Sequence, residues 1–168
     1  MHVVAAYSDT EISTLIECPK VISEAPKKDF KSNGAHLQKD MRLISEGVNG
    51  DFSVFFRQST EFPENFSIGL MYHPNDGRES ITLLRCNGPH GEYNGKLDPN
   101  HPHWDFHVHK ATEQAQDAGM KAERNADKVT DYAFFEEAIQ YFVKLVNVDR
   151  NEAQKHFPDT SSQGILFN

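Results

Sequence analysis

Residues 101–109 read His-Pro-His-Trp-Asp-Phe-His-Val-His and hold four histidines: His101, His103, His107 and His109. Imidazole is the side chain whose charge normally changes between pH 5 and 8, and it is also the commonest metal ligand. Such a cluster moves protons, holds a metal, or sits idle on a polar loop. A short way upstream stand Arg85, Asn87 and His90, in Arg-Cys-Asn-Gly-Pro-His. If the strand carrying Arg85 lies beside the one carrying His107 and His109, a base, an acid and a cation meet.

Cleavage of RNA through its own 2′-hydroxyl needs those three parts and no metal. A base takes the 2′-hydroxyl proton, an acid protonates the 5′-oxygen, and a cation stabilises the phosphorane. His107 and His109 are the acid/base pair on this reading, with His90 as an alternative member. Arg85 is the phosphate clamp and Asn87 a second polar contact. Trp104 can stack on a base, as aromatic faces do with single-stranded nucleic acid. The bland alternative leaves the histidines facing solvent and Trp104 anchoring a loop.

A metal reading competes with this one. His107, His109 and Glu113 make His-x-His-x-x-x-Glu, the first metal motif of a cupin, and two histidines plus a carboxylate can hold zinc or iron. Two features oppose a cupin. No second Gly-x-x-His-x-x-x-Asn element follows Gly119, and Glu113 lies in a segment that reads as helix. A zinc site from His101, His103, His107 and His109 is the other metal alternative.

The elements that must position these residues follow from periodicity. Asp51–Ser59 alternates Phe52, Val54 and Phe56 with Ser53, Phe55 and Arg57. Asn65–His73 and Ser80–Asn87 alternate likewise, and Lys39–Glu46 precedes an Asn49-Gly50 turn. Within Ser80–Asn87 the alternation puts Ile81, Leu83 and Arg85 on one face and Leu84 and Cys86 on the other. Short loops between these runs favour an antiparallel meander. Asp105–Lys110 reads as a further strand, with Asp105, His107 and His109 on one face. The intervening Gly88–His103 stretch is long for a loop, and loops of that length are usually functional.

Helical spacing marks Thr10–Glu17, capped by Thr10 or Asp9, and Ala111–Ala118, ending at Gly119. The strongest helix lies within Asp127–Asn147, capped by Thr130 or Asp131. Its apolar stripe runs through Phe134, Phe135, Ala138, Ile139, Phe142, Val143 and Val146. Ser23–Gly34 reads as an exposed connection. The expected fold is α+β: an antiparallel meander sheet of about five strands, packed against a C-terminal amphipathic helix and a short N-terminal helix. Residues 1–148 form one domain, and 149–168 a polar, loosely held tail.

The formal charge of −8 disfavours a non-specific nucleic-acid coat, which draws on many phosphate contacts. It leaves room for a local basic site, or for an acidic surface that binds a host protein without catalysis. Cys18 and Cys86 make no disulfide framework and read as packing residues. No apolar run approaches the roughly 20 residues of a membrane span, and the first residues lack the pattern of a secretory signal. A cytoplasmic protein is expected.

The order of these pieces resembles a group of small bacterial and phage-linked proteins that includes the TumE-type toxins of toxin–antitoxin loci. The likeness runs from Ser80 to Asn147. It rests on Leu84-Arg85-Cys86-Asn87-Gly-Pro-His90, then Phe106-His107-Val-His109-Lys, then Phe135-Glu-Glu-Ala-Ile139 on a closing helix. It implies a compact α+β toxin-like fold, a role in bacterial or phage conflict, and a cognate antitoxin as partner. Asn87 stands where that group more often has Asp, and the loop after His90 is longer. The first 35 residues have no counterpart there.

Overall fold

Alternating apolar and polar residues turn one side of each central strand inward, and a twisted antiparallel sheet results. The computed structural model describes residues 5–89 and 105–158. The strands are β1 (Val21–Glu24), β2 (Lys31–Asn33), β3 (His36–Ile44), β4 (Gly50–Ser59), β5 (Phe66–Pro74), β6 (Ile81–Asn87), β7 (His107–Lys110) and β8 (Asn125–Lys128). The sheet order is β1-β3-β4-β5-β6-β7-β8, with β2 also paired to β3. From β3 onward each strand lies beside its sequence neighbour, so the expected meander is present. Among the described residues it has eight strands, not about five. The three unforeseen ones are short and largely exposed.

Partners in antiparallel register share a face. One face carries the rows Leu43–Phe52–Tyr72–Ile81, Met41–Val54–Leu70–Leu84 and Phe56–Ile68–Cys86. All eleven of these residues are buried. Helices α1 (Asp9–Glu17) and α3 (Phe135–Leu145) pack on the sheet through β5 and β6. Their buried residues Ile12, Leu15, Ile16, Ala138, Phe142 and Val143 join the same core.

Helix starts differ in detail from expectation. Ser8, not Thr10 or Asp9, caps α1, its Oγ accepting from Glu11 N at 3.1 Å. The helix expected within Asp127–Asn147 begins only at Phe135, without a side-chain cap from Phe134. Thr130 and Asp131 precede it, and Asn125–Lys128 is strand. The short α2 (Glu113–Asp117) is capped by Thr112 and ends before Gly119, whose φ is +69°. The segment after Asp149, expected as loose tail, forms α4 (Arg150–His156). Ala153 and Phe157 are buried in the core, and this apolar pair anchors it.

A bulge in β6 corrects the face assignment made from simple alternation. Met71 pairs Thr82 while Leu70 pairs Leu84, so Leu83 is the extra residue. Ile81 therefore joins the core row, and Arg85 turns to the opposite face. At the end of β6, Gly88 donates to Phe66 O at 3.0 Å. A Cβ there would run into the carbonyl oxygen of Glu64. Gly88→Ala should thus cost about 1–3 kcal/mol, read as a lower urea midpoint with unchanged slope. An unchanged midpoint would show that the backbone yields freely at this point.

Candidate active site

The face opposite the core carries three polar rows. They are Arg42–Ser53–Met71–Thr82, Asp40–Phe55–Gly69–Arg85–His109–Ala126 and Gln38–Arg57–Ser67–Asn87–His107–Lys128. β6 and β7 are direct neighbours, with Arg85 opposite His109 and Asn87 opposite His107. Four of the residues singled out in the sequence therefore share one patch. His90, His101, His103 and Trp104 lie outside the described residues.

His107 and His109 sit two residues apart on β7, so their rings point the same way, with centroids 4.9 Å apart at 73°. Both are nearly inaccessible, at 0% and 4%. His107 Nδ1 lies 2.8 Å from Asp105 O, and His109 Nδ1 lies 3.0 Å from Glu123 O. A carbonyl oxygen only accepts, so each Nδ1 carries the proton. Whenever a ring is neutral, its Nε2 is then the basic nitrogen. Backbone groups hold both imidazoles in that tautomer and orientation.

Glu123 is the residue that sequence reading missed. It lies in the turn between α2 and β8, and its carbonyl holds His109. Its carboxylate is 5% exposed, 3.5 Å from Arg85 Nε and 3.4 Å from Lys121 Nζ. No local signal marks it, because its neighbours in space come from β6 and β7. The Arg85 side chain is 20% exposed. Burial is the main cause lowering its pKa; Glu123 opposes that shift and Arg57 adds to it. Arg85 Nε is buried and makes no hydrogen bond among the described residues. Among the described residues, Glu123 is the one acid paired with this guanidinium.

Asn87 is buried, and its Oδ1 accepts from Ser67 Oγ at 2.8 Å. The Tyr132 hydroxyl lies 2.9 Å from both Asn87 O and His107 O. These contacts clamp the ends of β6 and β7 together and fix the spacing of Arg85 and the imidazoles.

The cupin-like metal set is not assembled. Glu113 Oε2 accepts from Asp9 N at 3.2 Å, and Asp9 Oδ1 accepts from Glu113 N at 2.8 Å. Glu113 begins α2, so its carboxylate serves the facing N-terminus of α1 rather than His107 and His109. Among the described residues, no three His, Cys, Asp or Glu side chains are grouped to hold a metal ion. The four-histidine alternative includes His101 and His103, outside those residues. Cys86 is buried in the core, where burial pushes its thiol pKa well up, and Cys18 donates to Leu15 O at 3.4 Å. No helix among the described residues is long and apolar enough to cross a membrane.

The chain matches no family model, no curated protein and no solved structure.

Proposed function

We propose that this protein cleaves single-stranded RNA by attack of the 2′-hydroxyl on the adjacent phosphate. The observation that carries this reading is the state of Arg85. A guanidinium offers five N–H donors, and this one sits desolvated beside two tethered imidazoles with, among the described residues, one charged contact at 3.5 Å. Such a group is short of acceptors, and a phosphodiester supplies them in bidentate geometry.

Both imidazoles are buried in the free protein, so RNA reaches them only once the groups around them move aside; the Nε2 of one imidazole then takes the 2′-hydroxyl proton. The other imidazole, protonated, gives its proton to the departing 5′-oxygen. Arg85 offsets the charge of the phosphorane between them. The carboxylate of Glu123 occupies the flank of Arg85, so an incoming phosphate displaces it or shares the guanidinium with it. The biological setting we assign is a toxin of bacterial or phage conflict, held in check by a cognate antitoxin.

Purified, untagged protein should convert a labelled single-stranded RNA into fragments ending in 2′,3′-cyclic phosphate, at a rate unchanged by EDTA. Loss of cleavage on chelation, with one ion per chain by elemental analysis, would replace this reading with the metal alternative, for which Nδ1-tethered histidines are also suited. A stoichiometric protein partner with no RNA turnover would favour the non-catalytic acidic interaction protein.

A further inference from the structure

β4 carries three phenylalanines. Phe52 and Phe56 are fully buried on the core face. Phe55 is half-buried and stands on the opposite face, in the row that continues through Gly69 to Arg85 and His109. An aromatic ring on a polar, open row gains little from burial there. Its setting is specific: a Cβ on Gly69 would collide with the Phe55 ring, so the ring lies across β5 at the one residue that leaves it room. Gly69 thus lets the ring lean along the row toward Arg85.

Arg57, the next residue on this face of β4, is exposed. Its guanidinium carbon lies 5.0 Å from the Phe55 ring centroid, within cation–π range. The charge of Arg57 also reaches Arg85. A guanidinium over an aromatic ring, on the strand face that also carries the Arg85 guanidinium, makes a receptor for an anionic, aromatic ligand. An anion bridging the two guanidiniums offsets their charge, while the ring and the planar guanidinium each offer a stacking surface.

We propose that Phe55 and Arg57 form a nucleotide subsite next to the reacting phosphate. A base of single-stranded RNA stacks on Phe55, and Arg57 takes the phosphate joining that nucleotide to the one held by Arg85. This inference rests on the RNA-cleavage reading for its substrate. β4 lies three strands from β7, roughly 14 Å at about 4.8 Å per strand, which a short run of single strand spans. Duplex RNA does not fit, because its bases are already stacked and paired.

The test uses the full chain and a fluorescein-labelled 2′-O-methyl RNA 12-mer, which cannot be cleaved, so binding is read apart from chemistry. Anisotropy titrations are run over a series of salt concentrations. Phe55→Ala should weaken binding about 5- to 100-fold with the salt slope unchanged, and Phe55→Trp should restore it. Arg57→Ala should weaken binding and reduce the slope of log K against log salt by about 0.7, one phosphate contact to a single strand. With cleavable RNA, both variants should raise KM and leave kcat nearly intact. Wild-type affinity in both variants overturns the subsite, even if the protein cleaves RNA normally. No binding by wild-type protein at low salt overturns it too. Binding that depends on Phe55 and Arg57 without any cleavage of ordinary RNA upholds the subsite and removes the catalytic reading.

Discussion

Replacing His109 with glutamine should lower RNA cleavage at saturating substrate by about 10²- to 10⁴-fold, the usual worth of a positioned acid or base. Glutamine is chosen because its amide can still donate toward Glu123 O, which His109 Nδ1 now does at 3.0 Å. His107→Gln should give a loss in the same range for the same reason. Neither amide titrates, so neither can pass a proton. Arg85→Ala should cost about 10²- to 10³-fold in kcat, the scale for losing one donor group to a developing oxyanion. Arg85→Lys should recover only part of this, since an ammonium cannot meet two phosphate oxygens in a plane. Circular dichroism and melting curves must show the variants folded. Folded His107 and His109 variants that keep wild-type kcat would end the assignment of these imidazoles to proton transfer.

The second large effect concerns stability. Lys20→Met should destabilise the protein by about 3 kcal/mol. Lys20 is 1% exposed, yet its ammonium donates to Ile16 O at 2.8 Å, Cys18 O at 2.9 Å and Val146 O at 2.8 Å. It thereby caps the C-terminal ends of α1 and α3 together, with Nζ 4.9 Å from the Phe52 ring centroid. Three bonds to a charged donor contribute about 1.5–3 kcal/mol each. Burial acts against them, pulling the ammonium pKa from 10.5 down to about 8, a penalty of roughly 3 kcal/mol. Methionine fills the space but leaves three buried carbonyls without a donor, and each such group costs about 1–3 kcal/mol. The melting temperature should fall by about 6–12 °C for a chain of this size.

The pH dependence has a definite sign. Between about pH 8 and 10.5 the unfolded chain holds a proton on Lys20 that the folded chain has released. The Lys20 contribution to stability therefore rises with pH across that window and is flat below it, against an opposite slope from the buried Cys86 thiol, so it is read as the difference between wild type and variant. Lys20→Met should remove that rise. A variant as stable as wild type, or one that keeps the rise, would show that the three carbonyls find other donors.

Much of the site was readable along the chain because sheets have a period of two. Asp105, His107 and His109 fall on one face by counting alone, and the pairing of β6 with β7, on which the site depended, is present. Arg85 needed more. Simple alternation grouped it with Ile81, and only the Leu83 bulge separates them onto opposite faces. A bulge is set by how two strands settle against each other, and Leu83 itself carries no mark of it. Glu123 and Arg57 were invisible as site residues for a related reason. They come near Arg85 through folding across strands, not through spacing in the sequence.

The sequence by itself determined what depends on local pattern. The central strands β3 to β7, the apolar stripes of α1 and α3 and the shared face of the histidine pair all follow from periodicity, although Phe134, expected in the α3 stripe, stands exposed just before that helix. The turn expected at Asn49-Gly50 falls instead at Glu46-Gly47, where Val48 N donates to Ser45 O and Gly47 has φ +80°; Gly50 already opens β4. Tertiary structure alone decided the rest. β8 is Asn-Ala-Asp-Lys and mostly exposed, held to β7 by backbone bonds that leave no imprint on side-chain type. α4 exists because Ala153 and Phe157 find the core, and Lys20 is buried because three carbonyls from two helices close around it. Pairing at a sheet edge and contacts between distant segments carry no period, so their energy is set only once the chain has folded.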